Sequence, residues 1–140
     1  MTNATKSSTK LKLLFADDER SLQELMRLEL PRMGHEVTVC PDGATAMAAL
    51  DRNVYDCLLV DLDMPGANGL EVLKVINQRR PSVKVLVLTG HLSAEARAEF
   101  ERLGQKDFIS KPYTLDQLGR CLRRLLDAKG REVGVSGIAG

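Results

Sequence analysis

The chain has 140 residues, 44% hydrophobic and 28% charged, which fits one soluble globular domain by the usual prior of ~150 residues per domain. Its 20 basic side chains against 19 acidic ones leave a net charge of +1, and this argues against nucleic acid or an anionic membrane as the main partner, since both reward a basic excess. No apolar run approaches the ~20 residues needed to cross a bilayer, no signal-peptide pattern opens the chain, and the 3 cysteines, each in or beside an apolar stretch, read as buried reduced thiols of a cytoplasmic protein.

Residues 1–10, hydroxyl-rich and almost without apolar content, are expected to be a loose tail. A short apolar run from Lys10 to Ala16 reads as a first strand and stops at Asp17 and Asp18. Leu22, Leu25, Met26 and Leu30 recur at helical spacing over Ser21–Leu30, and Pro31 should end or kink that helix. His35–Cys40 alternates with β-branched content as a second strand, and Ala44–Leu50 follows as an alanine-rich helix. Cys57–Val60 is continuously apolar, as a strand buried on both faces should be. Leu70–Gln78 is helical, Val83–Leu88 a fourth strand, Ser93–Leu103 a helix stopped by Gly104. Phe108–Ile109 is a short fifth strand and Leu115–Leu126 the last helix. Residues 11–127 form the domain, and 128–140 read as a flexible remnant after Gly130.

Strict alternation of strand and helix means an α/β fold, a doubly wound parallel sheet of five strands joined by right-handed crossovers. In such sheets ligands bind at the carboxyl ends of the strands. Those ends are polar here: Asp17, Asp18 and Glu19 after the first strand, Asp61 and Asp63 after the third, Thr89 at the fourth, Lys111 after the fifth. Helix caps and turns explain any one Asp; they do not explain four polar edges at once. Two like charges ~5 Å apart repel by ~3 kcal/mol at an effective dielectric of ~20, so three carboxylates facing one lysine call for a cation. Hard oxygen ligands suit Mg²⁺, and its remaining positions suit phosphoryl oxygens. The chemistry that fits is phosphoryl transfer onto a carboxylate.

The Asp17-Asp18 pair, Asp61 in LLVDLDMPGANGLE, Thr89 in LVLTG and Lys111 in FISKPY resemble the receiver domain of two-component response regulators. The resemblance covers roughly residues 10–127 and implies a flavodoxin-like strand order 2-1-3-4-5. It implies that Asp61 accepts a phosphoryl group from a histidine kinase phosphohistidine, the protein catalysing its own phosphorylation and dephosphorylation. Asp18 would bind Mg²⁺ directly, Asp17 directly or through water, and Asp61 and the backbone carbonyl of Asp63 would complete the ligands. Lys111 would pair with the phosphoryl oxygen and Asp61, and Thr89 would move in to hold it. Phe108 stands at the aromatic switch position, and Pro112 at one often preceded by a cis peptide bond. Asp63 and His91 occupy positions that tune rates, although His91 reads first as a solvated loop residue at the start of the fourth helix. His35 reads as structural. Gln105 stands where the family usually has Ala, and is expected to alter the surface and not the chemistry.

A haloacid-dehalogenase-type phosphatase would share Asp61-x-Asp63 but carry it on its first strand in a longer chain. A flavin or dinucleotide site would want a Gly- or hydroxyl-rich first loop, not Asp-Asp-Glu. A stand-alone receiver, monomeric or dimerising on phosphorylation, is the leading expectation. It would signal through the face of the fourth helix, fifth strand and fifth helix to a protein partner, or shuttle phosphate to a histidine phosphotransfer protein. The alternative is a receiver segment of a longer DNA-binding regulator or hybrid kinase.

Overall fold

In the computed structural model, which describes residues 10–64, 69–79 and 82–125, strands and helices alternate in chain order. They are β1 (Lys12–Ala16), α1 (Arg20–Arg32), β2 (Glu36–Cys40), α2 (Gly43–Arg52), β3 (Cys57–Asp61), α3 (Gly69–Arg79), β4 (Lys84–Thr89), α4 (Ala94–Arg102) and β5 (Phe108–Ser110). Residues 115–125 are helical and form α5. The sheet runs β2-β1-β3-β4-β5 with every pairing parallel, the doubly wound order expected. The expected tails at 1–10 and 128–140 fall, Lys10 apart, outside the described residues.

Alternation along the central strands builds a core on each face, because successive side chains of a strand point to opposite sides. Leu14, Ala16, Leu58, Val60, Val85 and Val87 pack with Ala46 and Leu50 of α2, Val72, Leu73 and Ile76 of α3 and Phe100 of α4. Leu13, Phe15, Cys57, Leu59, Leu86 and Leu88 pack on the other face with Met26 and Leu30 of α1 and Leu118, Leu122 and Leu125 of α5. This explains why β3 is buried at every position. Among the described residues, no helix is long and apolar enough to cross a membrane.

Helix ends follow local chemistry. Asp42 caps α2 by accepting from the Thr45 N–H at 2.7 Å, and Ser93 caps α4 by accepting from Ala96 at 3.0 Å. Pro31 lies in the last turn of α1, which stops one residue later at Arg32, and Gly34 then takes the left-handed φ of 95° that turns the chain into β2. His35 is structural, as expected: its Nδ1 accepts from the Leu11 N–H at 3.1 Å, joining the starts of β1 and β2. Two expectations are corrected. Cys40 and Cys57 are buried, but Cys121 on α5 is only half-buried, at the margin of the core that holds Leu118, Leu122 and Leu125. Gln105 is not a surface residue; it is buried, and its Nε2 donates to the Val85 carbonyl at 2.8 Å and the Asp107 carbonyl at 2.9 Å. The side chain supplies a donor where the short β5 has no backbone to offer β4.

Candidate functional site

All strands being parallel, their carboxyl ends share one edge of the sheet, and the ladder continues just past each end. The Asp17 N–H donates to Cys40 O at 3.1 Å, Leu62 N–H to Leu88 O at 3.0 Å and Lys111 N–H to Thr89 O at 2.8 Å. The backbones of the polar residues are therefore fixed by neighbouring strands. Asp17, Asp18 and Asp61 each offer a carboxylate oxygen, and these oxygens lie within 4.8 Å of one another. Asp17 is fully buried, Asp61 nearly so, and Asp18 is exposed. The approach of α3 closes one side: a Cβ on Gly69 would sit 2.7 Å from Asp61 O and 2.8 Å from Leu62 Cα, so only glycine lets that helix begin against the end of β3.

Lys111 is the ammonium of the cluster, 2.8 Å from Asp17 Oδ2 and 3.5 Å from Asp61 Oδ2. Burial opposes its charge, but Asp17, then Asp61 and Glu19, outweigh that and hold its pKa above the ordinary value. Asp61 is pushed up to about 6, first by burial and then by repulsion from Asp17; Lys111 and the Asp63 N–H, 3.3 Å from its Oδ1, pull the other way. Asp17 Oδ1 accepts from the Glu19 N–H at 2.9 Å, and Gln23 Nε2 donates to the Asp17 carbonyl at 2.8 Å. Asp17 Oδ2 is sealed from solvent, and its charge is met by the Lys111 ammonium at 2.8 Å. The bond between Lys111 and Pro112 is cis.

The remaining expected residues stand around this core of charge. Asp63 is exposed and reaches the cluster through its backbone N–H. The buried Thr89 hydroxyl is engaged locally: it donates to His91 O at 2.7 Å and accepts from the His91 N–H at 3.1 Å. The His91 side chain is exposed, so His91 meets Thr89 through its backbone. Phe108 is half-buried, its ring edge-to-face with Phe100 at 5.3 Å between centroids. Pro65 and Gly66 lie outside the described residues. Sequence reasoning missed Gly69 and Gln23. A glycine opening a helix beside a polar strand end signals close approach, which makes Gly69 the one it could have found.

Residues 13–123 match the model of the response regulator receiver domain family. The probable transcriptional regulatory protein TcrX of Mycobacterium tuberculosis is 32% identical over 118 residues, which cover 84% of this chain and 50% of TcrX; the chain thus spans about half the length of that relative. Among solved structures, the receiver domain of the Francisella response regulator 1452 is 27% identical with a TM-score of 0.74, covering 86% of this chain and 98% of that one. The response regulator TrrA of Thermotoga maritima, solved in complex with Mg²⁺ and BeF, is 27% identical with a TM-score of 0.72, covering 81% and 97%. With the sheet order, the acidic edge and the family match all in agreement over the same residues, the chain belongs to the response regulator receiver domain family.

Proposed function

We propose that Asp61 is the phosphoacceptor of a two-component switch, taking a phosphoryl group from the phosphohistidine of a histidine kinase. The observation that carries this reading is the three-carboxylate cluster faced by the single fixed ammonium of Lys111 at the carboxyl edge of the sheet. The donor set fits a hard divalent cation such as Mg²⁺. Three carboxylate oxygens, one from each residue, stand within 4.8 Å of one another, and hard oxygen donors so gathered suit such an ion. Asp17, Asp18 and Asp61 would hold the ion, with the Asp63 carbonyl as a further ligand. When bound, it would neutralise charge on the cluster and on the incoming phosphoryl group.

The chain's own residues supply the rest. A carboxylate oxygen of Asp61 attacks phosphorus while the bond to the imidazole nitrogen breaks and the electron pair leaves with the imidazole. Asp61 titrates at about 6, so it is mostly ionised and nucleophilic at neutral pH. Lys111, already beside Asp61, pairs with a phosphoryl oxygen. Thr89 gives up the His91 carbonyl to donate to another, and the displaced segment repacks against Phe108, carrying the change to α4, β5 and α5. Asp63 and the exposed His91 flank the approach, where they tune the rates of transfer and hydrolysis. This is a switch that catalyses its own modification, not an enzyme with a separate product, and it works in the cytoplasm beside its kinase.

The relatives bear on the downstream partner. TcrX is named a probable transcriptional regulatory protein and is about twice as long as the match, which favours a second reading in which this receiver belongs to a longer DNA-binding regulator; a histidine phosphotransfer protein is the alternative recipient of the phosphoryl group. The test is direct. Incubated with acetyl phosphate and Mg²⁺ without a kinase, the protein gains one phosphoryl group by intact mass, and Asp61→Asn gains none. Labelling retained in Asp61→Asn overturns the assignment.

A further inference from the structure

Strand β1 ends at Ala16, and its pairing with β2 runs one residue further, from the Asp17 N–H to Cys40 O at 3.1 Å. There β2 stops, and the Asp17 carbonyl takes its hydrogen bond from a side chain instead: Gln23 Nε2 donates to it at 2.8 Å. Gln23 stands in the first turn of α1, and its own N–H donates to Glu19 O at 3.0 Å. Helix side chains lean toward the N-terminus, which brings this half-buried amide back over the loop that precedes it. The Asp17 side chain is held without Gln23, since Oδ1 accepts from the Glu19 N–H at 2.9 Å and Oδ2 meets the Lys111 ammonium at 2.8 Å. Asp18 is different. Its side chain is exposed, and among the described residues no hydrogen bond or ion pair holds it. One of its oxygens nevertheless lies within 4.8 Å of oxygens of Asp17 and Asp61. The backbone that carries Asp18 sets that direction, and the peptide joining it to Asp17 is a rigid plane. A donor fixed on the oxygen of that plane fixes where the Asp18 side chain leaves the chain.

We propose that Gln23 is a positioning residue for the acidic site: its amide clamps the peptide between Asp17 and Asp18 and so aims the exposed Asp18 carboxylate at the place a divalent cation takes. The inference rests on the reading of Asp17, Asp18 and Asp61 as cation ligands. Hydrogen bonds that orient the ligands of a metal site are worth about ten- to hundredfold in affinity. Gln23 acts through backbone and not on the carboxylate itself, so its share stands at the low end, about tenfold. The loss falls unequally on different ions. Mg²⁺ demands near-ideal octahedral geometry, whereas Ca²⁺ accepts flexible and irregular coordination, so a misdirected Asp18 penalises Mg²⁺ more.

MgCl₂ and CaCl₂ are titrated separately into the full chain and into Gln23→Met, which keeps the length and helix preference of the side chain and loses its donor, with affinity read by calorimetry. Gln23→Met, folded by circular dichroism, binds Mg²⁺ about tenfold more weakly and loses less for Ca²⁺. The bond itself is read by NMR in the unmodified chain in EDTA. The side-chain amide of Gln23 exchanges with solvent more slowly than that of exposed Gln117, whose oxygen accepts from the Thr114 N–H and leaves its Nε2 to water. Equal exchange at the two glutamines overturns the clamp even where Gln23→Met does not fold. Wild-type Mg²⁺ affinity in folded Gln23→Met, or an equal loss for both ions, overturns the role of Gln23 and leaves the cation site standing. Absence of Mg²⁺ binding by the unmodified chain overturns the cation site, and the role of Gln23 with it.

Discussion

Asp61 holds its negative charge under strain from its surroundings, and that strain is measurable without any phosphodonor. Its pKa rises from 3.8 to about 6 because of burial and then Asp17. The native state therefore binds more protons than the unfolded chain between those two pH values, so stability falls as pH rises from about 4 through about 6 and stays reduced above. Asp61→Asn removes the penalty. In EDTA at pH 7.5 the variant should gain about 1–2 kcal/mol after allowance for solvent screening, or about 4–8 °C in Tm. The gain should shrink toward zero as pH falls through 6 to 4. A variant that melts no higher than wild type at pH 7.5, or a gain independent of pH, contradicts the electrostatic account. At this scale the sequence is informative about which residues gather and mute about their partners. Four polar strand ends are visible because apolar runs stop at them. That Thr89 serves His91 two residues on is a local turn bond, in principle legible. That Gln23 turns its amide back onto the Asp17 carbonyl depends on the fold around it, and no spacing shows it.

At the scale of elements, β5 is the least self-sufficient piece of the sheet, with three residues paired to β4 alone. Gln105 extends that pairing by side chain: its amide reaches Val85 O, while Asp107 O accepts from both Gln105 and the Val87 N–H. Asn77 Nδ2 adds a bond from α3 to Leu103 O, and Lys74 pairs with Glu99 at 3.7 Å, so the turn from α4 into β5 is tied to both neighbours. Gln105→Ala should cost about 1–3 kcal/mol in urea unfolding, the range for leaving a buried carbonyl unpaired. It should also speed amide exchange at Val87 and Lys111 more than at Phe15, because β5 is loosened locally. Equal acceleration at all three positions argues against a local clasp. The Val85 carbonyl lies on a strand 20 residues away, so the sequence around Gln105 carries no sign of that bond. Strand and helix boundaries, by contrast, shift from the sequence expectation by only one or two residues, some inward and some outward, since hydrogen-bonded ladders do not begin and end where apolar runs do.

For the whole molecule, the central strands join two cores into one cooperative unit. Leu58 and Leu59 are adjacent in β3, fully buried, and belong to opposite faces. Leu58→Ala and Leu59→Ala should each cost about 2–5 kcal/mol. Both should lower the urea midpoint with the slope unchanged and the transition single. A second transition in either variant, with one face melting before the other, contradicts a shared core. The alternation that predicts this is the feature most legible from sequence, because a parallel sheet covered on both sides needs apolar side chains at every strand position.

Gly69 carries a consequence on a different timescale. With Asp61 O and Leu62 Cα 2.7 and 2.8 Å from where a Cβ would be, every other residue meets backbone that cannot swing aside. No point change in a glycine codon gives another residue without a Cβ, so a lineage has no neutral first step away from this position. The exposed residues of α4 can drift and find new partners while the junction of α3 with the end of β3 stays fixed, and the surface is thereby free to diversify over a site whose geometry is inherited unchanged.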